Sequence, residues 1–333
     1  MLTATLVTGL VGAGKSRLIE VWRGALPGAA RWAVLRDQGE TFKLPRASGA
    51  SGGDSDPALE SMGGCACCTG RLSVRNALGR LLRRGPWEHL LIELSGTGHP
   101  AALIDMLRTG ELLRAVRLTG VVAVLDAARL EERLAGPHAP WLREQIECAD
   151  RVVLRHPLPL AQPERLALAD RVRALQPFDL EIEHWWGPPV GAPAACVDGG
   201  PLTPRLPPVA TVWPAEGHLA AVLDEPPSGT ADADEPRQSA LQPAPGWLWR
   251  AAPEQVFDRV RIADTLSGFR ARWPDRRLNA VFRTEREWYR WRDGQPEPCV
   301  WRRDSRLMLQ GSSMGDGADR AALVEALLAC RLA

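Results

Sequence analysis

Lysine is nearly missing from this chain: of 41 basic residues only Lys15 and Lys43 are lysine, and the rest are arginine. In such a chain, a lysine marks a position that wants a compact, flexible ammonium rather than a planar fork. Net charge is equally scarce, +1 at pH 7, so no global field draws the protein to nucleic acid or to an anionic membrane. No apolar run reaches the length of a membrane span. The apolar N-terminus lacks a basic leader and runs straight into a glycine-rich turn, which argues against a signal peptide. Histidine is limited to 6 residues, and histidine-rich tracts are absent. The 7 cysteines are an odd number, and three of them crowd together as Cys65, Cys67 and Cys68. That spacing favours a metal or reactive site over a disulfide framework and, with the composition, a cytoplasmic protein. What remains is an ordinary globular composition, 45% hydrophobic and 24% charged over 333 residues, enough for one large and one smaller domain.

Lys15 sits in Gly9-Leu10-Val11-Gly12-Ala13-Gly14-Lys15-Ser16. The apolar run Ala4 to Thr8 before it reads as a buried parallel strand, and Arg17 to Trp22 after it reads as a helix. Strand, glycine-rich turn and helix in that order are the context of a phosphate-binding loop. The glycines let backbone N–H groups of Gly12, Ala13, Gly14, Lys15, Ser16 and Arg17 face a phosphate, and the helix adds its positive end. Lys15 is placed to reach the β/γ-phosphates, and the Ser16 hydroxyl to bind Mg²⁺.

A second strand is expected over 31–36, ending at Asp37-Gln38-Gly39-Glu40, and a long loop over 44–64 delivers the chain to the cysteine run. Leucines 72, 78, 81 and 82 predict a helix up to Arg84. A third strand, His89 to Leu94, carries an acid near its C-terminal end. With a phosphate loop upstream, Glu93 is a Walker B candidate, to hold the Mg²⁺ water shell or orient the attacking water. Gly96 is placed to offer its N–H to a γ-phosphate, and Asp37 to assist the Mg²⁺ shell. Further strands are expected at 120–126, 151–154 and 178–182, with helical segments between them and a helix over 166–175. Strict alternation of strand and helix predicts a mostly parallel sheet with helices on both faces, and a crevice at the strand C-termini.

Residues 1–186 are thus expected to form the nucleotide-binding domain. Residues 187–246, dense in proline and acidic over 224–237, read as a partly disordered linker with one strand at 209–213. Residues 247–333 read as a small α+β domain, with helices near 262–273 and 319–332 and strands near 278–283, 287–292 and 306–310. Its interleaved Trp and Arg fit a half-buried sheet with arginines facing water better than a nucleic-acid surface.

The order of these motifs resembles the CobW-type P-loop GTPases, metallochaperone relatives of the nickel-insertion GTPases. Arg36 to Glu40 falls where that family has Asn-Glu-x-Gly-Glu, and Gly64-Cys65-Ala66-Cys67-Cys68-Thr69 matches its Gly-Cys-x-Cys-Cys signature. Ile92 to Gly96 matches its Glu-x-x-Gly segment, and Val122 to Asp126 its strand ending in Asp-Ala. The C-terminal domain looks like the family's own, although the Arg-x-Lys-Gly segment is missing around 279–283. The resemblance implies a P-loop NTPase that binds and slowly hydrolyses GTP with Mg²⁺, with Lys15 and Glu93 as catalytic residues. It also implies delivery of Zn²⁺, or Co²⁺ or Ni²⁺, to a client metalloprotein.

Three thiolates suit a soft or borderline ion held for transfer. Glu40, Asp37 and His99 are candidates for a fourth ligand, and the resemblance favours Glu40. The guanine reader Asn-Lys-x-Asp is replaced by Arg155-His156-Pro157-Leu158. Leu158 accepts no hydrogen bond from guanine, so discrimination between bases is expected to weaken. An ATP-preferring ATPase or kinase without metal delivery, and a non-hydrolysing metal or nucleotide sensor, remain alternatives.

Overall fold

The computed structural model describes residues 2–26, 31–37, 58–62, 70–156, 160–176, 178, 180–186, 205–206, 218–223, 246–292, 294–311 and 317–332. The chain divides into two compact units, Met1–Thr211 and Val212–Ala333.

The first unit is built on strands β1 (Leu2–Thr8), β2 (Trp32–Asp37), β3 (Leu59–Met62), β4 (His89–Glu93), β5 (Val116–Asp126), β6 (Arg151–His156) and β7 (Glu181–Trp186). They lie in the order β3-β2-β4-β1-β5-β6-β7, and each neighbouring pair is parallel. Its helices are α1 (Lys15–Ala25), α2 (Gly70–Arg83), α3 (Pro100–Leu107), α4 (Gly110–Ala115), α5 (Leu130–Ala135), α6 (Ala139–Cys148) and α7 (Gln162–Arg173).

A parallel sheet needs cover on both faces, which is why β1 and β4 are buried along nearly their whole length. On one face Leu18, Ile19 and Trp22 of α1 pack against Val7, Val34, Leu91, Val124 and Val153. Their i, i+1, i+4 spacing is a helical stripe, and burying each of these side chains is worth about 2 kcal/mol. On the other face Leu130, Leu142, Ile146 and Val172, from α5, α6 and α7, cover Leu125, Val152 and Leu154.

Several elements differ from the sequence expectation. The last strand of this sheet begins at Glu181 rather than Phe178. Phe178 and Leu180 are buried just ahead of it, so their alternation with polar residues reflects packing of the approach, not pleating. The stretch read as one long loop contains β3, whose four residues lengthen the sheet beside β2. A short strand of this kind has too few residues to show a periodicity. The body of that loop, and the strand expected at 209–213, lie outside the described residues.

The second unit carries β8 (His218–Leu223), β9 (Gly246–Ala251), β10 (Arg277–Arg283), β11 (Trp288–Arg292), β12 (Gln295–Pro298) and β13 (Ser305–Gln310). They form an antiparallel sheet ordered β12-β11-β10-β13-β9-β8, accompanied by helices α8 (Arg259–Arg272) and α9 (Gly317–Ala329). The strand β8 falls inside the stretch read as linker, and β9 begins at the last residue of that stretch. Trp247, Trp249, Phe257, Phe282 and Trp291 build its core together with Ile262 and Leu266 of α8 and Leu323 and Leu327 of α9. Asp258 caps α8, accepting from Val260 N at 2.9 Å and Arg261 N at 3.0 Å.

Candidate functional site

The turn between β1 and α1 is shaped by three glycines in the left-handed region, Gly9 at φ 146°, Gly12 at 77° and Gly14 at 106°. Gly9 also passes so close to β5 that a Cβ there would stand 2.3 Å from Val124 O. No side chain fits at that point. The turn delivers Lys15 and Ser16 to the first positions of α1, where backbone N–H groups have no partner within the helix.

Lys15 is 8% exposed and folds back on the turn, donating to Gly9 O at 2.7 Å and Leu10 O at 3.2 Å. Ser16 Oγ donates to Glu93 Oε1 at 2.5 Å. Glu93, the last residue of β4, is 6% exposed, and Arg36 Nε donates to its Oε2 at 2.7 Å. Asp37 ends β2 and accepts from Ser95 N at 3.4 Å. Gly96 lies against the phosphate-loop turn, where a Cβ would stand 2.4 Å from Val11 N. Lys15, Ser16, Glu93, Asp37 and Gly96 therefore gather at the C-terminal edge of β1, β2 and β4. Arg17 pairs instead with Glu20 in its own helix, at 3.3 Å.

Ser16 Oγ and the carboxylates of Glu93 and Asp37 are hard oxygen donors, and they fit Mg²⁺ better than a soft ion. The soft donors Cys65, Cys67 and Cys68, with Glu40, lie outside the described residues. What is described is the frame that carries them. Met62 of β3 is in register with Asp37 of β2, so the chain leaves β3 toward the cysteine run about one strand spacing from Asp37. Glu60 of β3 binds Arg80 Nη2 at 3.0 Å and also Arg84, which ties the strand before the cysteines to α2 after them. Burial opposes ionisation of Glu60, but the two arginines hold its carboxyl below the usual range. His99 is engaged elsewhere, its Nδ1 lying 2.7 Å from Glu144 Oε2 of α6.

Four contacts were not anticipated from the sequence. Arg36 on Glu93 was visible only as a charged residue where the family pattern has asparagine. Gln145, fully buried on α6, donates to Gly96 O at 3.2 Å and braces the turn after β4. Arg155, the first residue at the base-reading position, donates to Asp126 Oδ2 at 2.8 Å, and its Cδ would stand 2.7 Å from a Cβ on Gly14. His156 follows it, with Nε2 lying 2.8 Å from His184 Nδ1. Burial lowers the pKa of both imidazoles, that of His184 to about 4. Leu158 lies outside the described residues.

Residues 3–173 match the family model described as the CobW/HypB/UreG nucleotide-binding domain. The chain is 31% identical over 154 residues to the zinc chaperone YeiR of Escherichia coli, covering 46% of each protein. It is 27% identical over 189 residues to the zinc-regulated GTPase metalloprotein activator 1 of Saccharomyces cerevisiae, covering 54% of this chain and 42% of that protein. The matched region is thus about half the length of these curated relatives. Among solved structures, the Zn(II)-bound YjiA GTPase of E. coli aligns over 98% of both chains with a TM-score of 0.42 and 16% identity. Because the family model spans more than half of the 333 residues, this chain belongs to the CobW/HypB/UreG family of nucleotide-binding proteins.

Proposed function

We propose that this chain is a slow, Mg²⁺-dependent GTPase that couples hydrolysis to holding a Zn²⁺-type ion and passing it to a client metalloprotein. The observation that carries this reading is the Ser16–Glu93 hydrogen bond beside Lys15, at the same sheet edge from which β3 leads into the cysteine run. In the nucleotide cycle Lys15 leaves the carbonyls of Gly9 and Leu10 for the β/γ-phosphates, and the backbone from Gly12 to Arg17 cradles them. Mg²⁺, when bound, neutralises charge on the phosphates, and Ser16, Glu93 and Asp37 are the residues that would hold it directly or through water. Glu93 orients the attacking water, and Gly96 offers its N–H to the terminal phosphate.

The ion is cargo. Cys65, Cys67 and Cys68 bind it as thiolates, with Glu40 or Asp37 completing the set, in a cytoplasm whose reducing poise keeps the sulfurs free. With Asp37 in both donor sets, the phosphate site is coupled to the ion through it. A ligand shifts such an equilibrium only through a difference in affinity between the two states. The test is a Zn²⁺ titration of the full chain with a non-hydrolysable GTP analogue and again with GDP. A difference of about tenfold is expected, and equal affinities refute the coupling.

The engagement of Arg155 with Asp126, in place of a base-reading asparagine, favours a second reading in which the base is selected weakly. The same titration with the ATP analogue then gives the same zinc shift.

A further inference from the structure

Arg36 makes a contact that an asparagine at its position would be too short and uncharged to make. It is the in-register neighbour of Glu93 across β2 and β4, so both side chains leave the same face of the sheet. Arg36 Nε holds Oε2 of Glu93 at 2.7 Å while Ser16 Oγ holds Oε1 at 2.5 Å. Both oxygens of the carboxylate beside the phosphate loop are thereby bound by this chain's own donors. The Glu93 side chain is 7% exposed and that of Arg36 23%, so the pair is screened little by solvent. An ionised carboxylate so buried is costly without a cation, and Arg36 supplies one. Any cation that engages Ser16 and Glu93 meets a positive charge already in place.

We propose that Arg36 is a positioning residue and internal counter-cation. It holds the Glu93 carboxylate directed at Ser16 before a divalent ion arrives, and it stays beside the triphosphate as fixed positive charge. This rests on the reading of the first unit as an Mg²⁺-nucleotide site. It makes nucleotide binding less dependent on Mg²⁺ than in a site whose positive charge comes from the ion and Lys15 alone. Arg36→Gln should therefore weaken binding in the absence of divalent ions and enlarge the gain when Mg²⁺ is added.

The experiment is equilibrium binding of a fluorescent, non-hydrolysable GTP analogue to the full chain, in EDTA and in Mg²⁺, with melting curves for each variant. In Arg36→Gln the ratio of the two affinities is expected to rise about tenfold over the unsubstituted chain. Arg36→Lys, which keeps the charge, is expected to return it to near the starting value. Arg36→Asn, the residue of the family pattern, serves in place of Arg36→Gln if that variant does not fold. A ratio within about twofold of the starting value in the uncharged variants overturns the proposal. So does an Arg36→Lys variant that behaves like Arg36→Gln. A starting chain that binds the analogue in neither buffer instead overturns the nucleotide-site reading itself, and the two failures are distinguishable.

Discussion

His89 makes the stability of the first unit depend on pH through one identifiable side chain. It opens β4, is fully buried, and lies in register with Thr3 of β1 and Trp32 of β2. The Trp32 ring sits 4.5 Å from the imidazole, centroid to centroid. Thr3 Oγ1 donates to Glu88 O at 3.2 Å, so towards His89 Nδ1, 2.8 Å away, it acts as acceptor. The Nδ1 proton is therefore present, and Nε2 accepts from Thr5 Oγ1 at 3.0 Å. The imidazole is held neutral, and burial lowers its pKa from 6.5 to about 4. Between these two values the unfolded chain takes up a proton that the folded chain refuses, so stability falls as the pH falls. The contribution is intact above 6.5, has dropped by about 2 kcal/mol at pH 5, and is fully lost, about 3 kcal/mol, below pH 4.

Urea denaturation at closely spaced pH values from 7.5 to 4, on the unsubstituted chain and on His89→Gln, measures this. His184 is also held at about 4, by burial and then by His156. It titrates in the same window, so the quantity to compare is the difference between the two chains. His89→Gln is expected to lose about 2 kcal/mol less than the unsubstituted chain between pH 7 and pH 5. Equal losses would refute the assignment of a neutral, buried imidazole at this position.

Two further substitutions probe the frame. Gly9→Ala is expected to destabilise the chain by about 2 kcal/mol or more, because its Cβ meets Val124 O at 2.3 Å in a left-handed backbone; an unchanged melting point contradicts this. In the second unit Asp304, 1% exposed, accepts from Arg306 Nε and Arg250 Nε, each at 2.6 Å. Burial lowers the Arg306 pKa only to about 10, so at neutral pH it stays charged. Asp304→Asn then strands buried positive charge and should cost about 3–5 kcal/mol in urea denaturation. A loss below about 1 kcal/mol would mean that the pair is not buried as described.

The parallel sheet and its first crevice residues were legible because local chemistry dictates them. Glycines with positive φ followed by Lys15 and Ser16 specify a turn at a helix start, and apolar runs such as Val121 to Leu125 specify strands covered on both faces. The position of Glu93 at the end of such a run is likewise a one-dimensional fact. Beyond these, no local pattern decides the partner. That Glu93 meets Arg36 and Ser16, that Gln145 reaches Gly96 from α6, and that Arg155 packs beneath Gly14 depend on strand order and register. A parallel sheet joins residues tens of positions apart, and only its topology fixes which side chains share a face. The amino-acid sequence alone therefore determined the phosphate-binding turn and the alternation of strand and helix. Tertiary structure alone decided which charges meet in the crevice, because a buried carboxylate takes whichever cation the neighbouring strand brings into register.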